Sequence, residues 1–228
     1  MVQKQAMPLW DEVFSDFLQT YDQLVCVEAH NEITLVVPLD ALITVLEACK
    51  QRLCMQVLVD LCGVDYLHFE KAQWVTKEAT ADGYSRGPDE FEENSAEFRF
   101  CCVYHLLSTH YHKRIRVKTF LDDNLSLPSV VDIWPSANWY EREAYDLFGF
   151  VFEGHPELVR ILTDYAFIGH PFRKDFPVSG HNELRYSEQL GRCVYEPTSI
   201  EPRTVIPKVI RTYDNRYAHK AKKEDKDV

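Results

Sequence analysis

The chain contains neither G-x-x-x-x-G-K-[ST] nor G-x-G-x-x-G anywhere in its 228 residues, so neither phosphate-cradling loop is present to bind a nucleotide. No run approaches eighteen uninterrupted apolar residues, which excludes a membrane-spanning helix. The start, "MVQKQAMPLWDEVFSDF", reaches Asp11 and Glu12 without the apolar core of a signal peptide or the Arg/Ser-rich, acid-poor look of a transit peptide. The expectation is a protein that stays in the compartment where it is made. The seven cysteines, at 26, 49, 54, 62, 101, 102 and 193, are odd in number and none sits in C-x-x-C spacing. That argues against a zinc ribbon, a dithiol redox motif and an iron–sulfur cluster. Most lie among apolar neighbours, as in "QLVCVEA" and "FRFCCVYHLL", where a reduced thiol packs as a small hydrophobe. Positive charge is in short supply as well, with 25 Lys and Arg against 36 Asp and Glu for a net −11. An acidic body argues against nucleic acid as a partner.

What is present is an ordinary globular share of apolar residues, 46%, enough for one sizeable domain with an extension. Leu9, Trp10, Val13, Phe14, Phe17, Leu18 and Tyr21 recur at helical spacing, predicting an amphipathic first helix. "QLVCVEAH" and "EITLVVP" read as two short strands around a turn at His30-Asn31, and "LDALITVLEACKQRL" as a second helix starting near Asp40. "CMQVLVDLCGVDYLHF" is β-rich, with Gly63 expected to break it. "EFRFCCVYHLLST" and "KRIRVKTFL" read as a strand pair around "HYH". Ile115, Val117 and Thr119 point to a buried face, and Arg114, Arg116 and Lys118 to a wet basic one. Between them, residues 69–96 are polar, acidic and rich in turn formers, hence a loop insertion. The expected fold is α+β: a mixed or antiparallel sheet with flanking helices over 1–125, a distinct segment over 126–180, and an extended tail over 181–228. Ser136 or Asn138 serves as an N-cap candidate, with Glu141 completing a capping box, for a helix over 137–148 that stops at Gly149. A second short helix, "PELVRIL", is expected from Pro156. Past Phe172 periodicity fades, so the tail is read as disordered or ordered by a partner. The tail also carries the opposite charge, because residues 157–228 sum to +2 while 1–67 sum to −7.

Several clusters invite a chemical reading. "GYSRG", Gly83–Gly87, matches the hydrolase pattern G-x-S-x-G, but its flanks are polar where a nucleophile at Ser85 needs an apolar strand and a helix. His105, His110 and His112 gather near one turn without further ligands at suitable spacing. His155 and His170 each stand between Gly and Pro, which fixes both in turns. A two-histidine metal site competes there with turns that expose Arg160, Arg173 and Lys174. In "EREAYD", Glu143 and Asp146 are i, i+3 neighbours, and Arg142 and Asp146 are spaced for an i, i+4 ion pair. A metal enzyme built on His155, His170 and the Glu141/Glu143 pair is the rival reading.

"WYEREAYDLFGFVFEGHPELVRILTDYAFIGHPFRKDFPVSG", Trp139 to Gly180, together with "DLCGVDY", "VYHLLS" and "IWPSANWYERE", resembles the 30 kDa subunit family of proton-pumping NADH:quinone oxidoreductase, respiratory complex I. The pattern carried by Glu141, Arg142, Glu143, Asp146, Phe148, Gly149, His155, Pro156, Arg160, Asp164, Gly169, His170, Pro171, Arg173, Lys174, Asp175, Phe176 and Pro177 extends the likeness over about residues 35–180. The resemblance implies a structural subunit of the hydrophilic arm with no flavin, iron–sulfur cluster or quinone-site residue of its own. FMN and the clusters are expected on partner subunits. It further implies docking through these residues and Trp139 onto the large hydrogenase-like quinone-site subunit and the neighbouring iron–sulfur subunits. Membrane association would be indirect and peripheral, on the cytoplasmic side of a bacterial inner membrane or the matrix side of a mitochondrial one. An equivalent subunit of a membrane-bound hydrogenase or another quinone- or ferredoxin-linked complex is the alternative within the superfamily.

Overall fold

The structure, a computed structural model, describes residues 9–67, 69, 79–80, 83–84 and 98–199. They fall in two compact units. The smaller contributes only a two-rung ladder of Ala79–Thr80 with Gly83–Tyr84. Ser85 lies outside the described residues, and so does most of the 69–96 insertion.

In the larger unit, α1 (Trp10–Thr20) buries Trp10, Phe14 and Phe17 at the predicted spacing. β1 (Val25–Ala29) and β2 (Glu32–Val36) pair antiparallel across His30 and Asn31. Both turn residues are left-handed, at φ 53° and 62°, the backbone of the tight hairpin turn that matches strand twist. A 3₁₀ turn at Leu39–Ala41 leads into α2 (Leu42–Arg52). β3 (Val57–Asp65), β4 (Phe100–Ser108) and β5 (Lys113–Leu121) complete a five-stranded sheet of order β1-β2-β5-β4-β3. Within that sheet only the β2–β5 pair is parallel. Ile115 and Val117 join Leu35, Tyr104, Leu106 and Leu61 in one hydrophobic cluster with the helices. Arg114, Arg116 and Lys118 alternate to the other face.

β6 (Ser126–Pro128) and β7 (Val151–Glu153) form a short parallel pair that brackets α3 (Ala137–Phe148). Ala144, Leu147 and Phe148 of α3 join the cluster. Gly63 does not break β3. It lies inside the strand, paired with Cys102, because this is where α3 leans on the sheet edge. A Cβ there would sit 2.6–2.9 Å from the Phe148 ring.

Three further expectations are corrected. The helix from Pro156 does not form: residues 156–162 are irregular, because side chains of α3 occupy their backbone groups. Glu141 makes no capping box. Neither Ser136 nor Asn138 caps with its side chain; Asn138 lies inside α3, and Ala137, Asn138 and Trp139 donate to the Trp134, Pro135 and Ser136 carbonyls. The tail is not wholly extended, since β8 (Asn182–Ser187) and β9 (Arg192–Pro197) make an antiparallel hairpin with Gly191 at φ +60°. Leu184 and Tyr186 share one face with their partners Tyr195 and Cys193, but all four stay exposed. An apolar alternation of two residues per strand is too short to stand out in the sequence. Residues 200–228 lie outside the described residues.

Gly63→Ala should overpack the Phe148 contact and lower stability by about 1–3 kcal/mol, read from the midpoint of urea unfolding. An unchanged midpoint would remove the close approach as the reason for glycine.

Candidate functional site

Two carboxylates of α3 have their whole side chains removed from water, and each does a different job. Glu141, 0% exposed, accepts hydrogen bonds from the Ser129 hydroxyl and the Val130 N–H, both at 2.7 Å. It thereby ties the chain entering α3 to the helix body. Burial pushes its pKa up to about 7, against the pull of those two donors.

Asp146, equally buried, reaches out of the helix to the segment that follows β7, residues 154–180, here termed the strap. Its Oδ2 accepts the backbone N–H groups of Ile161, Leu162 and Thr163 at 3.1, 2.8 and 2.8 Å. Its Oδ1 takes the Thr163 hydroxyl and, at 2.8 Å, Nη1 of Arg160. Burial alone would raise this carboxyl's pKa. The Thr163 hydroxyl and the three N–H donors outweigh that and hold it well below the ordinary range. Arg142 works from the same helix, donating to the Val159 and Arg160 carbonyls at 3.0 and 3.2 Å while lying over Trp139, 5.2 Å from the ring centroid. Side chains of α3 thus occupy the backbone donors and acceptors of 159–163 that a helix would have paired internally, which is why "PELVRIL" stays irregular. The i, i+4 pair of Arg142 with Asp146 is not made, because Arg160 takes the carboxylate.

The second half of the strap is fixed at its own anchors. His170 Nδ1 donates to the Asp146 carbonyl at 3.0 Å, and burial with nearby Arg173 and Arg160 lowers its pKa. Arg173 Nε donates to the Phe148 carbonyl at 2.7 Å, and its guanidinium lies 5.4 Å from the Phe100 ring centroid. Gly149 ends α3 at φ +82°, and a Cβ there would meet Arg173 and His170 at 2.5 and 2.7 Å. Asp65, at the end of β3, accepts Arg99 Nε and Nη2 at 3.0 and 2.8 Å and the Lys174 N–H at 2.8 Å. Asp175 completes the group with a 3.0 Å contact to Arg99. Phe167 and Phe176 pack together, 5.7 Å between centroids. The Gly169 carbonyl accepts from Arg160, and the Pro177 carbonyl closes the turn to Gly180. Asp164 is exposed and bonded by the Tyr195 hydroxyl. Glu143, Pro156 and the Lys174 side chain face outward, while Pro171 is half-buried.

His155 and His170 serve separate turns. His155 Nε2 donates to the Asn138 carbonyl at 3.2 Å and its Nδ1 accepts the Glu157 N–H at 3.0 Å. Neither histidine belongs to a three-ligand group among the described residues, and Glu141 is engaged with Ser129 and Val130. His110 and His112 sit on an exposed turn whose Tyr111 N–H is taken by Ser108. His105 lies on β4, away from that turn. Sequence reading missed Arg99 and Ser129 as anchors. Asp65 stands inside "DLCGVDY", but its bond to Lys174 spans 109 positions, which no local spacing betrays.

With Arg160, Asp164, Arg173 and Asp175 bonded within the chain, the strap's outward side chains are mostly apolar. Tyr165, Ile168, Leu162 and Phe172 are 91, 70, 62 and 57% exposed, and Trp139 on α3 is 60% exposed. Such a surface is uncommon on a protein that stands alone. No helix among the described residues is long and apolar enough to cross a membrane.

The family described as "Respiratory-chain NADH dehydrogenase, 30 Kd subunit" matches residues 35–182. The C subunit of NADH-quinone oxidoreductase from Legionella pneumophila (strain Corby) is 50% identical over 195 residues, covering 83% of this chain and 86% of that protein. The same-named protein of Coxiella burnetii (strain Dugway 5J108-111) is 54% identical over 175 residues, covering 75% of this chain and 76% of its own. A solved trypsin-resistant fragment (1–134) of Nqo5 aligns with 26% identity over 65% of this chain and 98% of the fragment, at a TM-score of 0.49. The chain belongs to the 30 Kd subunit family of the respiratory-chain NADH dehydrogenase.

Asp146→Asn should cost about 3 kcal/mol in urea unfolding, since it leaves Arg160 without its buried partner. The pH profile carries opposite signs on its two sides. Glu141 binds its proton more tightly folded than unfolded, so its contribution to stability falls as pH rises from the ordinary 4.5 towards about 7, by about 1.4 kcal/mol per pH unit, then levels off. His170, whose folded pKa is lowered, contributes with the opposite sign below its ordinary 6.5. Asp146 and Asp65, whose folded pKa values are lowered, lose stability as pH falls below their ordinary 3.8. Glu141→Gln should flatten the first limb and keep the second; a limb that survives the substitution belongs to another group.

Proposed function

We propose that this chain serves NADH:quinone oxidoreductase as a structural subunit of its hydrophilic arm, docked through α3 and the strap. The catalysed reaction, electron transfer from NADH to quinone coupled to proton translocation, then belongs to the assembly. FMN, the iron–sulfur clusters and the quinone site reside on partner subunits in this reading. The chief partner is the large hydrogenase-like quinone-site subunit, with the iron–sulfur subunits beside it, and the chain reaches the cytoplasmic face of the membrane only through them.

The observation that carries the reading is the division of labour within the strap. Arg142, Asp146, Arg160, His170 and Arg173 hold the backbone in place from within. Trp139, Leu162, Tyr165, Ile168 and Phe172 remain exposed, in the manner of the apolar centre of an interface. The signature therefore acts in two ways: its charged members shape the surface, and its apolar neighbours, with Lys174 at the side, touch the partner.

A Leu162→Asp/Tyr165→Asp/Ile168→Asp chain should fold with an unfolding midpoint near the parent's yet fail to enter the membrane-bound complex, with loss of NADH:quinone activity in a strain lacking the native subunit. Arg173→Glu should instead weaken the chain itself. Normal assembly and activity with the triple variant would sink the docking role of the strap.

A further inference from the structure

The sheet face opposite the hydrophobic cluster brings together three ligand-type side chains that the strap does not use. Asp60 on β3 is paired directly with His105 on β4, and Cys62 follows two residues later on the same strand, opposite Val103. The irregularity between Leu58 and Asp60 sets this up: one extra residue turns Asp60 to the outer face while Leu58 stays inward. One ligand atom from each of Asp60, Cys62 and His105 lies within 4.8 Å of the others, and Asp60 Oδ2 stands 3.7 Å from His105 Nδ1. The ring is oriented by its other nitrogen, since Arg116 Nε donates to His105 Nε2 at 3.1 Å. Nδ1 therefore faces the carboxylate. All three residues are half-buried. Asp60 and His105 line an open cleft of ≈ 970 Å³, and Asp60 and Cys62 share a smaller hollow of ≈ 180 Å³ with Glu143.

We propose that Asp60, Cys62 and His105 form a binding site for a borderline divalent cation of the zinc class. One thiolate, one imidazole and one carboxylate are the donor types that zinc takes, and magnesium or calcium would not select the sulfur. Water from the open cleft completes a tetrahedron. Binding releases the Cys62 proton to solvent and moves the His105 ring proton from Nδ1 to Nε2. Arg116 then gives up its bond to that nitrogen while Glu32, at 2.5 Å, and Thr34, at 3.4 Å, still hold the guanidinium. The second carboxylate, Glu143, faces the hollow beside Cys62 and adds attraction for a cation. Zinc has no redox chemistry, so the ion would clip the edge strand β3 to β4 without entering electron transfer. The inference stands independently of the docking role of the strap.

The test is cobalt titration of the metal-free, full-length chain under reducing conditions. Expected are one Co²⁺ per chain, a near-ultraviolet thiolate-to-cobalt band, and the intense visible bands of a tetrahedral site, all displaced by Zn²⁺. Cys62→Ser should abolish the thiolate band, and His105→Ala and Asp60→Asn should each weaken binding by about tenfold or more. As a second readout that needs no variant to bind metal, Zn²⁺ should slow alkylation of Cys62 in the parent chain. Absence of the thiolate band, its survival in Cys62→Ser, or an alkylation rate indifferent to Zn²⁺ would each overturn the site.

Discussion

The carboxylate of Asp146 is the point from which the strap is organised. A buried carboxylate that gathers three consecutive N–H groups, a hydroxyl and a guanidinium does for irregular backbone what a helix does for itself: it leaves no donor unpaired. The strap can run over the body without secondary structure because α3 supplies its hydrogen bonds. Arg142 repeats the device for carbonyls, and Asp65 repeats it for Lys174. These anchors are charged groups acting on peptide groups, and a charge-assisted bond of that kind is stronger than a neutral one.

The sheet explains why such anchors are available. Its inward face is closed by α1, α2 and α3, and α3 is admitted close to the edge strand because residue 63 has no side chain. That contact fixes the register in which Glu141 and Asp146 project. Glu141 looks back to the segment entering the helix, and Asp146 looks forward to the strap. The two acids of one helix thereby hold the chain on both sides of it.

Reading the residues in order recovered what is local. Helices α1 and α3, the His30-Asn31 turn and the alternation of Ile115 and Val117 against Arg114 and Arg116 are all written in short-range spacing, and the structure has them in place. Two of the misreadings share one physical origin. Pro156 opened a plausible helix, and Gly63 a plausible break, because neither carries any trace of the distant side chain that decides its conformation: Asp146 in one case, Phe148 in the other. Asp60, Cys62 and His105 were invisible as a group for the same reason, since their proximity comes from strand pairing plus one inserted residue. The family resemblance located the signature residues but not their division of work. Arg173 and Asp175 read as outward charges in the sequence and are bonded within the chain in the fold.

The pinned strap has a consequence for how such a subunit lives before assembly. Its surface residues Leu162, Tyr165, Ile168 and Phe172 are displayed on backbone already held in shape, so the docking proposed above would leave little ordering entropy to lose on encounter. The same readiness leaves an orphan copy with exposed grease that it cannot fold away. A cell making this chain in excess of its neighbours would face aggregation, which favours synthesis in matched stoichiometry.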